Sequence, residues 1–322
     1  MLRERARIIR QIRSFFDAKG FLELDTPILS PDLIPESCLE VFETSRVLPS
    51  GAARPYWLIP SPEIWMKKVI ARHGVSVYQI CKCFRNGESS GFLHSPEFTM
   101  LEYYTMGADY LDSLALTEEL FGFLSKELGL AESGTGLYPP FERLTVAEAF
   151  ARYAGFDLFD AVTREGGLEA EARRLGLDPA LGTETTVLYD LIFIHAVEPE
   201  LKRDRPVALL DYPAFVPCLA QSGADGKTME RWELYFKGIE LANCFSEETD
   251  PGRVRDFFES EAREKAERAL VRHGVDHDYW KLFAGSTPFP RCSGVAMGLD
   301  RLIMALCGRS TIDAVLPFPM GL

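Results

Sequence analysis

Two acidic residues close together in the chain, Glu233 and Glu240, have a spacing from which a hairpin can build a cation site. Between them, Lys237-Gly238 suits a two-residue hairpin turn. With Phe236 opposite Ile239, Tyr235 falls opposite Glu240 and Glu233 opposite Ala242. Paired residues point to the same side, so the two carboxylates become diagonal neighbours about 7–8 Å apart at the backbone. A hard cation such as Mg2+ suits that pair of oxygen donors, although a solvated hairpin face carries the same pattern. Asn243, Phe245 and Glu247 have the opposite parity from Glu240, so a face shared by all of them requires a bulge near Ala242 or Asn243.

A further acid, Glu102, stands in an apolar setting. The run from Phe98 to Tyr104 reads as extended, which puts Phe98, Met100, Glu102 and Tyr104 on one face. A carboxylate among aromatic and apolar residues is unusual for a core, so this face is expected to line a pocket.

Several elements must position these groups. Ile8, Ile9, Ile12, Phe15 and Phe16 form a helical stripe over residues 2–19, with Gly20 placed to end the helix. A strand over Phe21–Leu24 and Pro27 follow. Ser61-Pro62-Glu63 predicts an N-cap and first turn for a helix that runs to about His73 and stops at Gly74. Val77–Arg85 reads as a strand, making 77–104 a long hairpin around the polar loop 86–95. Residues 108–210 are mostly helical in pattern and carry no recognisable chemistry. A helix is expected from near Gly298 to about Leu306.

The 322 residues are 47% hydrophobic and 26% charged, which suits one large folded domain or two small ones; with no repeat, low-complexity tract or disordered linker, one continuous domain is the simplest account. No apolar run approaches membrane-spanning length and the amino-terminal segment is charged, so a soluble cytoplasmic protein is expected. Seven scattered cysteines lack the paired spacing of a zinc site; Cys81 and Cys83 are explained by a shared strand face. A net charge of −13 argues against a long phosphate-neutralising surface.

Three segments in order resemble the class II aminoacyl-tRNA synthetases, specifically their lysyl branch. Phe21–Pro27 is similar to the family's first motif, which packs a dimer interface. Phe84-Arg85-Asn86 with His94-Ser95-Pro96-Glu97-Phe98 through Glu102 is similar to the second, and Gly294 through Arg301 to the third. Glu240 through Glu247 stands in the expected place between them. The resemblance spans nearly the whole chain. It implies an α+β class II catalytic fold, an antiparallel sheet flanked by helices, in one domain over 1–322 with the helical stretch around 108–210 as an insertion. It also implies a homodimer that uses ATP and Mg2+.

Carried over to this sequence, the resemblance implies that Arg85 meets the α-phosphate and substrate carboxylate, and that Phe98 and Arg301 sandwich the adenine. His94 lies near the distal phosphates, and Glu233 and Glu240 hold magnesium on ATP. Glu63, Glu102, Tyr104, Asn243, Phe245 and Glu247 form the amino-acid pocket. The chemistry agrees: a free amino acid is already a carboxylate, so its attack on phosphorus needs alignment and charge stabilisation rather than a base. Glu63, Glu102 and Glu247 suit the two ammonium groups of a diamino acid. Taken alone, Glu63 also suits its helix dipole, Arg85 a surface ion pair, and Asp300-Arg301 ordinary helix-start chemistry.

Three departures separate this sequence from lysyl-tRNA synthetases. About twenty residues precede the first motif, so the anticodon-reading OB fold is expected to be missing and tRNA to be an unlikely acceptor. Ala296 stands where those enzymes have Gly, crowding the pocket floor by one methyl. Both features resemble the elongation factor P lysyltransferases, a paralogous family that attaches (R)-β-lysine to a lysine side chain of elongation factor P. The loop 86–93 departs from both groups: it is one residue longer, with Gly87 in place of a Glu, and the adjacent Glu88 is left unassigned.

Overall fold

The stripe of Ile8, Ile12, Phe15 and Phe16 is the buried face of α1 (Leu2–Ala18), which ends at Lys19 before Gly20 at φ +76°. A computed structural model describes residues 1–87, 91–129 and 136–320. After α1 come β1 (Leu22–Glu23), β2 (Leu29–Ser30), β3 (Phe42–Val47), β4 (Ala53–Leu58) and α2 (Glu63–His73). Next are β5 (Val77–Phe84), β6 (Glu97–Met106) and α3 (Tyr110–Leu128). The chain continues through β7 (Glu142–Thr145), short helices between 146 and 201, β8 (Val207–Pro213), β9 (Thr228–Phe236) and β10 (Ile239–Ser246). A helix over Pro251–Arg268, β11 (Cys292–Gly298) and a last long helix over Leu299–Leu306 complete it.

The chain folds as two units, one made of Met1–Ser113 with Ser246–Leu322 and the other of Leu114–Phe245. In the first, β1 runs parallel to β5, while β5–β6 and β6–β11 are antiparallel. The register Phe84↔Glu97 through Val77↔Tyr104 is the long hairpin expected from the sequence. Phe16 of α1 stacks on Tyr78 at 4.8 Å between centroids and meets Tyr103 at 4.9 Å, so α1 covers one face of this hairpin. Because side chains alternate, Met100, Glu102 and Tyr104 occupy the opposite face. A smaller antiparallel sheet, β2-β4-β3, closes over Leu33, Val41, Trp57 and Ile59.

In the second unit β10–β9 and β9–β8 are antiparallel and β8–β7 parallel. Its helices pack Phe150, Leu188, Tyr189 and Ile192 against Val207 and Leu209, the apolar work expected of the helical stretch. The helix over Val146–Ala149 opens with a reciprocal Thr145/Glu148 cap. Antiparallel pairing dominates and helices flank the strands, so the fold is α+β.

Two local expectations shift. The first strand is only Leu22–Glu23, and Ser61 does not cap α2. Pro62 takes the cap position because its carbonyl already accepts from the amides of Trp65 and Met66, both at 3.0 Å. At the other end Gly74 closes the helix at φ +60°, as its lack of a Cβ permits. No disulfide joins any of the seven cysteines, and the Cys81 and Cys83 sulfurs lie 3.8 Å apart on their shared face. No helix among the described residues is long and apolar enough to cross a membrane.

Candidate active site

Register brings the arginines of the first unit to one end of its sheet. Arg85 follows the last residue of β5, opposite the start of β6, and its guanidinium lies 5.3 Å over the Phe98 ring. At the end of β11, Gly298 pairs with Met100, so Arg301, in the first turn of the following helix, rises from the same edge. Arg301 donates from Nε to the Leu93 carbonyl at 3.2 Å and meets His94 Nε2 at 2.8 Å. A guanidinium only donates, so His94 Nε2 accepts and its proton sits on Nδ1. The loop residues Leu93 and His94 thus orient Arg301. Glu88, in the same loop, lies outside the described residues.

Beneath this edge, Asp300 is buried at 2% exposure. Its Oδ2 accepts from the Thr99 amide at 2.6 Å and its Oδ1 pairs with Arg5 of α1 at 2.6 Å. The acid that helix-start chemistry explains in the sequence is therefore an internal clamp on the strand that carries Phe98.

The opposite face of the hairpin carries an acidic pocket, all within the first unit. Glu102 is 2% exposed; Tyr104 donates to its Oε1 at 2.8 Å, and its Oε2 is buried without a hydrogen-bond partner. Burial, reinforced by Glu63, pushes its carboxyl well above the usual carboxylate range. Glu247, held by its amide to the Cys292 carbonyl, is pushed up to about 7 by burial, with Lys67 opposing and Glu63 adding. Ala296 pairs with Glu102 and Gly294 with Tyr104, so both lie on this face. A Cβ at Gly294 would collide with Glu247 Oε1 and Tyr104 Cε1, so a glycine is required where strand and acid meet.

Several pocket residues escaped the sequence reading. Lys67 pairs with Glu63 and Glu247, both at 2.6 Å. Its i,i+4 spacing from Glu63 was the available signal, but that spacing usually marks a surface pair. Tyr279 is buried and electrostatically coupled to Glu63, Glu102 and Glu247. Glu36 sits beside Glu63 and Arg85; the Lys265 ammonium anchors its carbonyl at 3.1 Å.

Burial, then Glu63, push the Glu36 carboxyl up to about 7, while Arg85 and Lys265 oppose. The folded protein then binds this proton more tightly than the unfolded chain, whose carboxyl titrates near 4.5. The resulting stability is full below that value and is lost as pH rises through about 7. Glu36→Gln is expected to raise the thermal midpoint at about pH 8 and leave it unchanged near pH 4. An equal effect at both would show that Glu36 does not titrate in this window.

In the second unit the hairpin turns at Lys237 (φ +52°) and Gly238 (φ +76°), with Phe236↔Ile239 and Tyr235↔Glu240 in the expected register. The register shifts between Glu240 and Ala242, after which Asn243 faces Glu233 and Phe245 faces Arg231. The required bulge is present, and Glu233, Glu240, Asn243 and Phe245 share one face. Asn243 Oδ1 is buried without a hydrogen-bond partner.

Glu233 is not a bare carboxylate. Arg231 donates to its Oε1 at 2.5 Å and the Tyr235 hydroxyl to its Oε2 at 2.6 Å. Arg231 is itself held between Tyr212 (4.2 Å to the centroid) and Phe245 (5.4 Å). Among the described residues no group of three metal-ligating side chains occurs. Two carboxylates on one face nonetheless fit Mg2+, which takes one or two protein carboxylates and completes its shell with phosphates and water.

Comparison with known proteins finds relatives over nearly the whole chain. A family model described as tRNA synthetases class II (D, K and N) matches residues 1–321. A protein of Avibacterium paragallinarum named elongation factor P--(R)-beta-lysine ligase is 37% identical over 319 residues, covering 98% of this chain and 94% of the relative. Proteins of the same name from Mannheimia succiniciproducens and Histophilus somni are each 36% identical over 316 residues, covering 98% of this chain and 93% of the relative.

Proposed function

Because this chain belongs to the class II tRNA synthetases of the D, K and N group, we propose that it is an AMP-forming ligase that loads (R)-β-lysine, or lysine, onto elongation factor P. The amino-acid carboxylate attacks the α-phosphorus of ATP and pyrophosphate leaves. The ε-amine of a lysine on elongation factor P then attacks the acyl carbon, displacing AMP. The observation that carries this reading is the buried acidic pocket, with the Glu102 oxygen awaiting a donor behind an edge that carries Arg85.

Arg85 aligns the carboxylate and offsets charge on the α-phosphate. Phe98 and Arg301 hold the adenine, with His94 near the distal phosphates. Glu63, Glu102, Tyr104, Asn243, Phe245 and Glu247 take the amino acid, and Ala296 shapes the floor. Glu233 and Glu240 would hold Mg2+, which would supply neutralising charge for the departing pyrophosphate. The same reading makes the chain one catalytic domain with a helical insertion around 108–210, working in the cytoplasm as a homodimer without tRNA as acceptor. Exposed Leu22, Ile28 and Leu29 in and beside the first motif support the dimer.

Pyrophosphate exchange with α-lysine and both β-lysine enantiomers, followed by mass measurement of elongation factor P and of tRNA, tests the proposal. Exchange with (R)-β-lysine and a mass gain on the protein are expected. A gain on tRNA alone overturns the acceptor, and absence of exchange with every isomer overturns the enzyme. Ala296→Gly is expected to shift the kcat/KM ratio towards α-lysine by about tenfold, the scale of one added or removed carbon in a pocket. An unchanged ratio removes Ala296 from the discrimination.

A further inference from the structure

Lys67 is a cation inside a pocket for cations. It lies one turn beyond Glu63 on α2, is 2% exposed, and places Nζ 2.6 Å from both Glu63 Oε1 and Glu247 Oε2. The Tyr104 ring lies 6.0 Å away. Burial pulls the ammonium down, but Glu247 and Glu63 outweigh it and hold Lys67 well above the ordinary lysine value. The titratable groups that face it are Glu63 from its own helix, Glu102 and Tyr104 from β6, Glu247 after β10, Tyr279, and Cys292 of β11.

Once a substrate's ammonium groups hold Glu63, Glu102 and Glu247 ionised, the group they form with Lys67 carries two negative charges in excess, which the two ammonium groups of a diamino acid match. We propose that Lys67 is a positioning residue: its ammonium clamps Glu63 and Glu247 in place and sets the pocket's charge to match a substrate with two ammonium groups. This role rests on the proposed lysine-type substrate. It also explains why Glu102 Oε2 is the acceptor left open, since the resident ammonium already engages the other two acids.

Lys67 opposes the burial that raises Glu247. Without it Glu247 keeps its proton to higher pH, and a protonated carboxyl must lose that proton before it accepts an ammonium. The cost falls on binding, because Lys67 is not part of the phosphate chemistry at Arg85.

The test is pyrophosphate exchange with (R)-β-lysine across pH, using wild type, Lys67→Met and Lys67→Arg. Lys67→Met is expected to raise KM about tenfold at neutral pH, the scale of one charge-assisted contact, with kcat changed much less. The pH below which KM climbs should move upward by about one unit. Lys67→Arg keeps the charge and is expected to keep that pH midpoint near wild type. A folded Met variant with wild-type KM and pH profile overturns the role, as does an Arg variant whose midpoint moves as far as that of Met. If the Met variant does not fold, the Arg midpoint decides alone: near wild type supports the clamp, displaced overturns it. A wild type inert with every lysine isomer overturns the proposed function and this role together, whereas an active wild type confines failure to Lys67.

Discussion

Alanine at Arg85 is expected to lower pyrophosphate exchange by about 10²–10³-fold while leaving the folded structure unchanged, the usual effect of deleting one well-placed donor to developing charge. No proton has to be removed from the attacking carboxylate, so activation depends on alignment and on stabilising negative charge as pyrophosphate leaves. Arg85 is suited to that work by its position at the strand end over Phe98, where the ring limits where the guanidinium can go. Lysine at 85 should restore little, since a point charge cannot reproduce the planar fork. Exchange rates with circular dichroism as a check on folding decide it. A loss below tenfold would take Arg85 out of phosphate contact.

The second large effect is on stability. Arg5→Met leaves Asp300 buried without its ion-pair partner and is expected to cost about 3–5 kcal/mol in urea unfolding. Arg5 also donates to Thr99 Oγ1 at 3.0 Å, so one substitution loosens α1, β6 and the final long helix together. Adding Asp300→Leu should recover part of the loss, because two apolar groups need no compensation whereas one buried charge does. The double variant tests a further point: if its stability recovers and exchange does not, the Asp300 contact to the Thr99 amide places Phe98 and Arg301. An unchanged unfolding midpoint in Arg5→Met would show the pair to be energetically neutral.

The elements that carry the site were legible where alternation and turn chemistry act locally. The 77–104 hairpin follows from period-two patterning, and Lys237-Gly238 from the left-handed conformation both residues adopt. Even the bulge in β10 could be expected, because Asn243 and Phe245 reach the face of Glu240 in no other way. Ser61 misled because Pro62 was free to serve as the cap itself.

What stayed hidden depends on distant segments meeting. Lys67 spaced four residues from Glu63 looks like a solvent-facing pair until Glu247, far along the chain, closes on it. Arg231 lies two residues from Glu233 and so shares its strand face, but nothing local shows that it would be held between Tyr212 and Phe245 and turned onto that carboxylate. Glu36 stands in a stretch without regular structure, and only the anchor from Lys265 shows where it rests.

The irregularity at Leu241 makes the bulge itself, more than the side chain it carries, the feature that holds Asn243 and Phe245 on the face of Glu240. Flattening the bulge at constant chain length would turn Asn243 and Phe245 through half a revolution and leave Glu240 where it is, whereas excising Leu241 makes the spacing from Glu240 to Asn243 even and keeps all three on one face. A single missing codon at Leu241 would therefore straighten the strand without changing which of these side chains share a face.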